Sequence, residues 1–321
     1  KMHLIIYILK IIYLITIIYQ GSDFMELTKI KGNSYYINFP TNIGVYIFKN
    51  KNCLLIDTGK NKYDGKKIEE VLLENGLHPK YIVNTHSHLD HCGGNLLFKE
   101  NYPGCLTYTS FKEKLFMENP ELNAAMLFSA SPIKLIYKSN KSINVDYILD
   151  YGTNKINDEK FEVISLKGHS PEQIGFITPE KVCFLGDSIF SDETIKKYSL
   201  PYYYDLEESI KSLEIIKNIE ADYFVISHCD RVLEKDEIIN LVDKNMKNIE
   251  KHVNIILELL DQPLTKEDIL ENLAILEDLK LNFNQYHLYI GAVSAFITYL
   301  FHKNLIDYSI EDGKLYYFKK L

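Results

Sequence analysis

Arginine is almost absent from this 321-residue sequence: Arg231 stands alone, and the other side-chain cations are lysines. Basic residues number 36 against 44 acidic ones, a net charge of -8. A surface that tracks polynucleotides needs a basic excess, so a dedicated nucleic-acid binder is disfavoured. Cysteine is scarce as well. Cys53, Cys92, Cys105, Cys183 and Cys229 are odd in number and include no C-x-x-C pair. That excludes a disulfide framework and fits a reducing compartment. Internal repeats and low-complexity tracts are lacking, and only one long apolar run occurs. Collagen, disorder and a multispan membrane protein are therefore excluded.

What is present suffices for a large core. The sequence is 46% hydrophobic and 25% charged, near the globular average. At about 100–200 residues per domain, its length allows one large domain or up to two. The single long apolar run covers residues 2–19 and is interrupted by His3, Lys10 and Thr16. A membrane span needs roughly 20 apolar residues. Residues 1–24 read in three ways: an amino-terminal anchor, a signal peptide cleaved near Gly21–Ser22, or sequence dispensable to a working protein that starts at Met25. The expected location is cytoplasmic, or membrane-tethered if this leader acts as an anchor.

From Met25 onward the pattern changes. Strand-like runs are expected at 35–39, 44–49, 53–57, 81–83, 147–149, 161–166, 175–178, 182–186 and 223–227. Helical spacing marks 65–75, with Gly76 behind it, then 109–136 with breaks at Pro120 and Pro132, then 206–219 and 234–260. After Pro263 the character shifts again. Thr265–Asp268 resembles a capping box, a second helix fits 285–302, and Asp312-Gly313 signals a hairpin.

The chemistry concentrates in Thr85-His86-Ser87-His88-Leu89-Asp90-His91-Cys92-Gly93-Gly94, directly after a strand. Three imidazoles and a carboxylate this close make a metal site the economical reading. His86 and His88 project to one side because side chains alternate. Asp90 and His91 then turn toward a neighbouring point, and the glycines permit a tight backbone.

This H-x-H-x-D-H run resembles the metallo-β-lactamase superfamily. Four further motifs follow the family order, each close to the end of a strand-like run: Asp57-Thr58-Gly59 upstream, then Gly168-His169-Ser170, Gly186-Asp187-Ser188 and Ser227-His228. The resemblance spans roughly 30–230 and implies an α/β fold, an αββα sandwich. It implies that His86, His88 and His169 hold one divalent ion, that Asp90, His91 and His228 hold a second, and that Asp187 bridges them. Zinc fits the ligand types best, with iron or manganese as alternatives. Two such ions about 3.5–4 Å apart share a hydroxide formed near neutral pH, which attacks an ester, thioester or related bond of a small molecule. Asp90 would also orient that hydroxide.

Other residues carry weaker signals. Cys92, Cys229, His78, His252, His287 and His302 read as packing or surface residues. Tyr202-Tyr203-Tyr204 reads as a loop packed on the core or as an aromatic wall beside the metals. The stretch 109–136 is expected to cover the site and select the substrate. The pattern is most similar to glyoxalase II-like hydrolases, although the basic cluster that those enzymes use for glutathione is not recognisable. The expected organisation is a leader at 1–24, a catalytic domain at 25–262 and a small α+β module at 263–321. That module's helix–helix–hairpin order resembles a winged helix. Its few lysines favour a structural or dimerising role, and a metallo-nuclease whose module binds RNA or DNA is the alternative.

Overall fold

The computed structural model describes residues 25–133 and 141–320. The apolar leader at 1–24 lies outside these residues, as does 134–140, which includes the end of the expected helical stretch. Strands β1 (Leu27–Lys31), β2 (Ser34–Ile37), β3 (Ile43–Ile47), β4 (Asn52–Ile56), β5 (His78–Val83), β6 (Leu106–Thr109) and β7 (Tyr147–Ile148) form one sheet in that spatial order. Between its later strands run α1 (Lys62–Glu74), α2 (Leu89–Cys92), α3 (Asn95–Asn101), α4 (Phe111–Glu118) and α5 (Glu121–Phe128). Strands β8 (Gly152–Ile156), β9 (Glu159–Ser165), β10 (Ile174–Ile177), β11 (Val182–Phe184), β12 (Tyr223–Val225) and β13 (Leu233–Glu234) form the second sheet. Helices α6 (Asp192–Lys197), α7 (Leu206–Asn218) and α8 (Lys235–Leu259) accompany it.

Alternation along the strands builds three apolar layers. In β3 and β4, Tyr46, Leu54 and Ile56 face the second sheet and meet Phe161, Phe176 and Phe184. Their neighbours Val45, Cys53 and Leu55 face outward, where Ile68, Leu72 and Phe98 of α1 and α3 cover them. On the far side, Leu213 and Ile216 of α7 and Ile238 and Val242 of α8 cover Cys183 and Phe224. The result is the expected αββα sandwich.

Caps explain the helix boundaries. The Asn61 side chain accepts the N–H groups of Tyr63 and Asp64, so α1 starts three residues before the apolar spacing does. Asp205 caps α7 in the same way. The expected helix over 109–136 is in fact two. Its start is the tail of β6, Ser110 precedes α4, and the chain turns at Asn119–Pro120 before α5.

After α8 come α9 (Lys266–Leu276), α10 (Phe283–His302) and a hairpin of β14 (Ile306–Glu311) and β15 (Lys314–Lys319). Thr265 and Asp268 form the reciprocal capping box. Ile269, Leu273, Val293, Phe296 and Leu300 sink into the same core as α7 and α8. Among the described residues, no helix is long and apolar enough to cross a membrane.

Candidate metal centre

The motif residues follow the ends of β4, β5, β9, β11 and β12, at one rim of the sandwich. In such sheets the crevice beyond the carboxyl ends of the strands is the usual ligand site. Two glycine features make the loops possible. A Cβ on Gly93 would lie 1.9 Å from the Lys60 carbonyl oxygen, and one on Gly94 2.1 Å from that of Thr58, so the histidine loop presses directly on the Asp57–Gly59 turn. Gly168 has φ +125, and a Cβ there would lie 2.4 Å from the Ser209 backbone nitrogen. Its carbonyl accepts the N–H groups of Tyr204 and Asp205, which brings the 202–205 segment beside His169.

The ring nitrogens converge. His86 Nε2 lies 3.1 Å from His88 Nδ1, which lies 2.9 Å from His169 Nε2. Asp187 Oδ2 lies 3.5 Å from His91 Nε2, 3.5 Å from His169 Nε2 and 3.4 Å from His228 Nε2. Asp90 Oδ2 lies 3.5 Å from His228 Nε2 and 3.7 Å from His91 Nε2. One ligand atom from each of His86, His88 and His169 falls within 4.8 Å of the others, and so do those of His86, His91 and Asp187 and of Asp90, His91 and His228. All seven residues singled out from the sequence therefore meet in one place. Cys92 does not join them: its thiol is buried and donates to the Ser87 carbonyl.

The outer nitrogens are held by the chain itself. His91 Nδ1 donates to Asp57 Oδ2 (2.8 Å), His169 Nδ1 to the Tyr202 carbonyl (3.2 Å) and His228 Nδ1 to the Pro40 carbonyl (2.6 Å). The Thr85 hydroxyl donates to Asp57 and so accepts from His86 Nδ1 (3.1 Å). Each of these four contacts turns an Nε2 toward the centre, as outer partners do for metal-binding imidazoles. Asp57 has φ +63, uncommon for a non-glycine residue, and accepts from Thr85 and His91 together.

Electrostatics divide the cluster. Burial first, then the neighbouring imidazoles, lowers the pKa of His86, and burial lowers that of His169 to about 3. Burial also lowers His88. These three are neutral ligands in waiting. Burial opposes charge on His91 and His228 too, but the carboxylates of Asp187 and Asp90 outweigh it, raising His91 and bringing His228 to about 10. Conversely, Asp187 is held well below the usual carboxylate range by His91 and His228 despite its burial. His91 Nε2 and Asp187 Oδ1 are buried without any hydrogen-bond partner among the described residues. Orphaned polar atoms of this kind are costly, and a divalent cation is the species that satisfies a lone pair and a carboxylate together. The donor set fits such an ion.

Glu113 carried no sequence signal. It is 0% exposed on α4, and it accepts from the Ser87 N–H (2.9 Å), the Ser170 hydroxyl (2.7 Å) and the Glu172 N–H (2.8 Å). It thus ties the first two histidine loops to the helix between them. The tyrosine triplet divides its roles. The Tyr202 ring stands 5.8 Å from His169 and 6.2 Å from His88, Tyr203 is buried in the core and Tyr204 is exposed. As expected for a cover, α4 and α5 wall a cavity of about 340 Å³ that opens on His88 and Asp90.

A family model described as the metallo-beta-lactamase superfamily matches residues 36–228. A hydroxyacylglutathione hydrolase of Haemophilus influenzae is 31% identical over 142 residues, which make up 44% of this chain and 62% of that one. A hydroxyacylglutathione hydrolase of Prochlorococcus marinus is 28% identical over 207 residues, 62% of this chain and 70% of that one. The chain thus spans less than two thirds of the first relative. A crystal structure of a metallo-beta-lactamase family protein from Thermus thermophilus shares the fold at a TM-score of 0.70 and 17% identity, covering 92% of this chain and 97% of that one. With the family match covering more than half of its length, and the histidine and aspartate loops of the rim inside that match, the chain belongs to the metallo-beta-lactamase superfamily.

Proposed function

We propose that the chain is a metallo-hydrolase that cleaves an ester, thioester or related activated acyl bond of a small molecule. His86, His88 and His169 would hold one divalent ion, Asp90, His91 and His228 a second, with Asp187 between them. The observation that carries this reading is the convergence of seven side chains on one point, with His91 Nε2 and Asp187 Oδ1 buried and unpartnered. Zinc suits the donors best, iron or manganese next. When bound, such ions supply Lewis-acid polarisation of a carbonyl and lower the pKa of an attacking water toward about 7.

The chain's own residues do the rest. Neutral His86, His88 and His169 present lone pairs without first losing a proton. Asp90, part-exposed beside His228, is placed to orient water. Tyr202 and the α4–α5 wall shield the rim from bulk solvent. The names of the two relatives support a thioester substrate. The free cysteines support a cytoplasmic setting. We further divide the chain into a catalytic part at 25–262 and a winged-helix-like module at 263–321, whose role is structural because its apolar helix faces are spent on the shared core.

The test is a panel of metal-loaded protein against thioesters, lactones, phosphodiesters, β-lactams and short RNA. Hydrolysis of thioesters is expected. Cleavage of RNA with no turnover of any ester or thioester would overturn the reading.

A further inference from the structure

We propose that the cavity beside His88 is an acyl subsite, and that the substrate is a thioester or ester carrying an unbranched apolar acyl arm. This rests on the hydrolase reading and names its substrate class. The cavity holds about 340 Å³, at the small end of the roughly 300–1,000 Å³ typical of small-molecule sites. Its walls are aliphatic, thioether and aromatic: Phe116, Met117, Ala124, Met126, Leu127 and Leu288. Asn123, Lys141 and Ser87 are the polar groups beside them, and His88 and Asp90 form the end that touches the metal-ligating cluster. An acyl chain lying here would place its carbonyl at that cluster.

A second pocket of about 290 Å³ lies against His228, and Tyr202 and Leu288 line both. Its walls are mostly apolar as well, with Phe190, Leu200 and Pro201 beside Tyr198, Tyr289 and Thr194, so it suits an apolar portion of the thiol arm. The scissile bond then sits between the two. Water adds its oxygen to the acyl carbon, the C–S bond breaks, and the sulfur leaves as thiolate and takes up a proton. Leu288 comes from α10, so the structural carboxyl-terminal module also lends the cavity one wall residue. That helix can approach because residue 291 is glycine: a Cβ there would already lie 3.2 Å from the Tyr202 ring.

The test uses the metal-loaded full chain with N-acetylcysteamine thioesters from acetyl to octanoyl. Burial of each methylene predicts a rise in kcat/KM of roughly fourfold until the cavity is full. Ala124→Phe should cut the octanoyl-to-acetyl ratio at least about tenfold, with bound metal and thermal unfolding unchanged. A second readout needs no turnover. Titration with a non-hydrolysable S-octyl thioether should shift the methyl resonances of Met117 and Met126 but not that of Met246. A flat chain-length profile, an octanoyl-to-acetyl ratio untouched by Ala124→Phe, or unmoved Met117 and Met126 would overturn the acyl subsite. Should no thioester turn over while both methionines respond, the subsite stands and the hydrolase reading falls.

Discussion

Asp57, the Tyr202 carbonyl and the Pro40 carbonyl take the outer protons of His91, His169 and His228, and this is what turns three rings inward. Asp57→Asn should therefore weaken metal binding about 10–100-fold, read by chelator competition, with secondary structure retained. Unchanged affinity would mean that His91 is oriented by something else. The protonation pattern yields a second expectation. His228 is raised to about 10 and His91 is raised as well, so in the metal-free protein both carry protons near neutral pH. Metal must displace them. Loading should release roughly two protons, and affinity should rise with pH until His228 titrates near 10. The raised pKa also stabilises the metal-free fold, fully below about 6.5 and progressively less as pH climbs toward 10. Calorimetry in buffers of different ionisation enthalpy reads the release; a proton count of zero would contradict it. The seven cluster residues were legible because four sit in one hexapeptide and three follow strand-like runs in order. Glu113 was not. Its partners are 26 to 59 residues away in sequence, and nothing local distinguishes it from its lysine-flanked surroundings.

Elements were legible where they carry apolar runs or stripes. Strands β3, β4 and β11 show as short apolar runs because they are buried on both faces, while β9 and helices α1, α7, α8 and α10 show their period because one face is buried. Strands β1 and β8 did not show, since lysine and threonine on half-exposed edges erase the alternation. Helix α2 hides inside the metal motif, where histidine, aspartate and glycine are chosen for chemistry rather than propensity. The Gly168 turn gives the test at this scale. Gly168→Ala forces a Cβ against the Ser209 backbone at a φ of +125. It should destabilise by more than about 1 kcal/mol and loosen His169, seen as a lower Tm and partial loss of metal. A fully stable, metal-replete variant would show that the loop has another way to fold.

For the whole molecule, the composition shifts at Pro263, yet the core does not stop there. Phe296 packs on Tyr203 at 6.1 Å between ring centroids and shares a cluster with Ile249 and Leu273. Periodicity tells which face of a helix is apolar but not which neighbour covers it, so the docking of α10 against α7 and α5 lay beyond the sequence. Phe296→Ala should cost about 3–5 kcal/mol, and unfolding should remain one transition followed alike by circular dichroism and tyrosine fluorescence. Two separated transitions would show that residues 263–321 fold independently of the sandwich.

The central claim is a pair of metal sites joined through Asp187, and metal content tests it most directly. Purified protein loaded with zinc should hold about two ions per chain, and Asp187→Ala should lose zinc while keeping its fold by circular dichroism. Two ions still bound at full occupancy in Asp187→Ala would contradict the account.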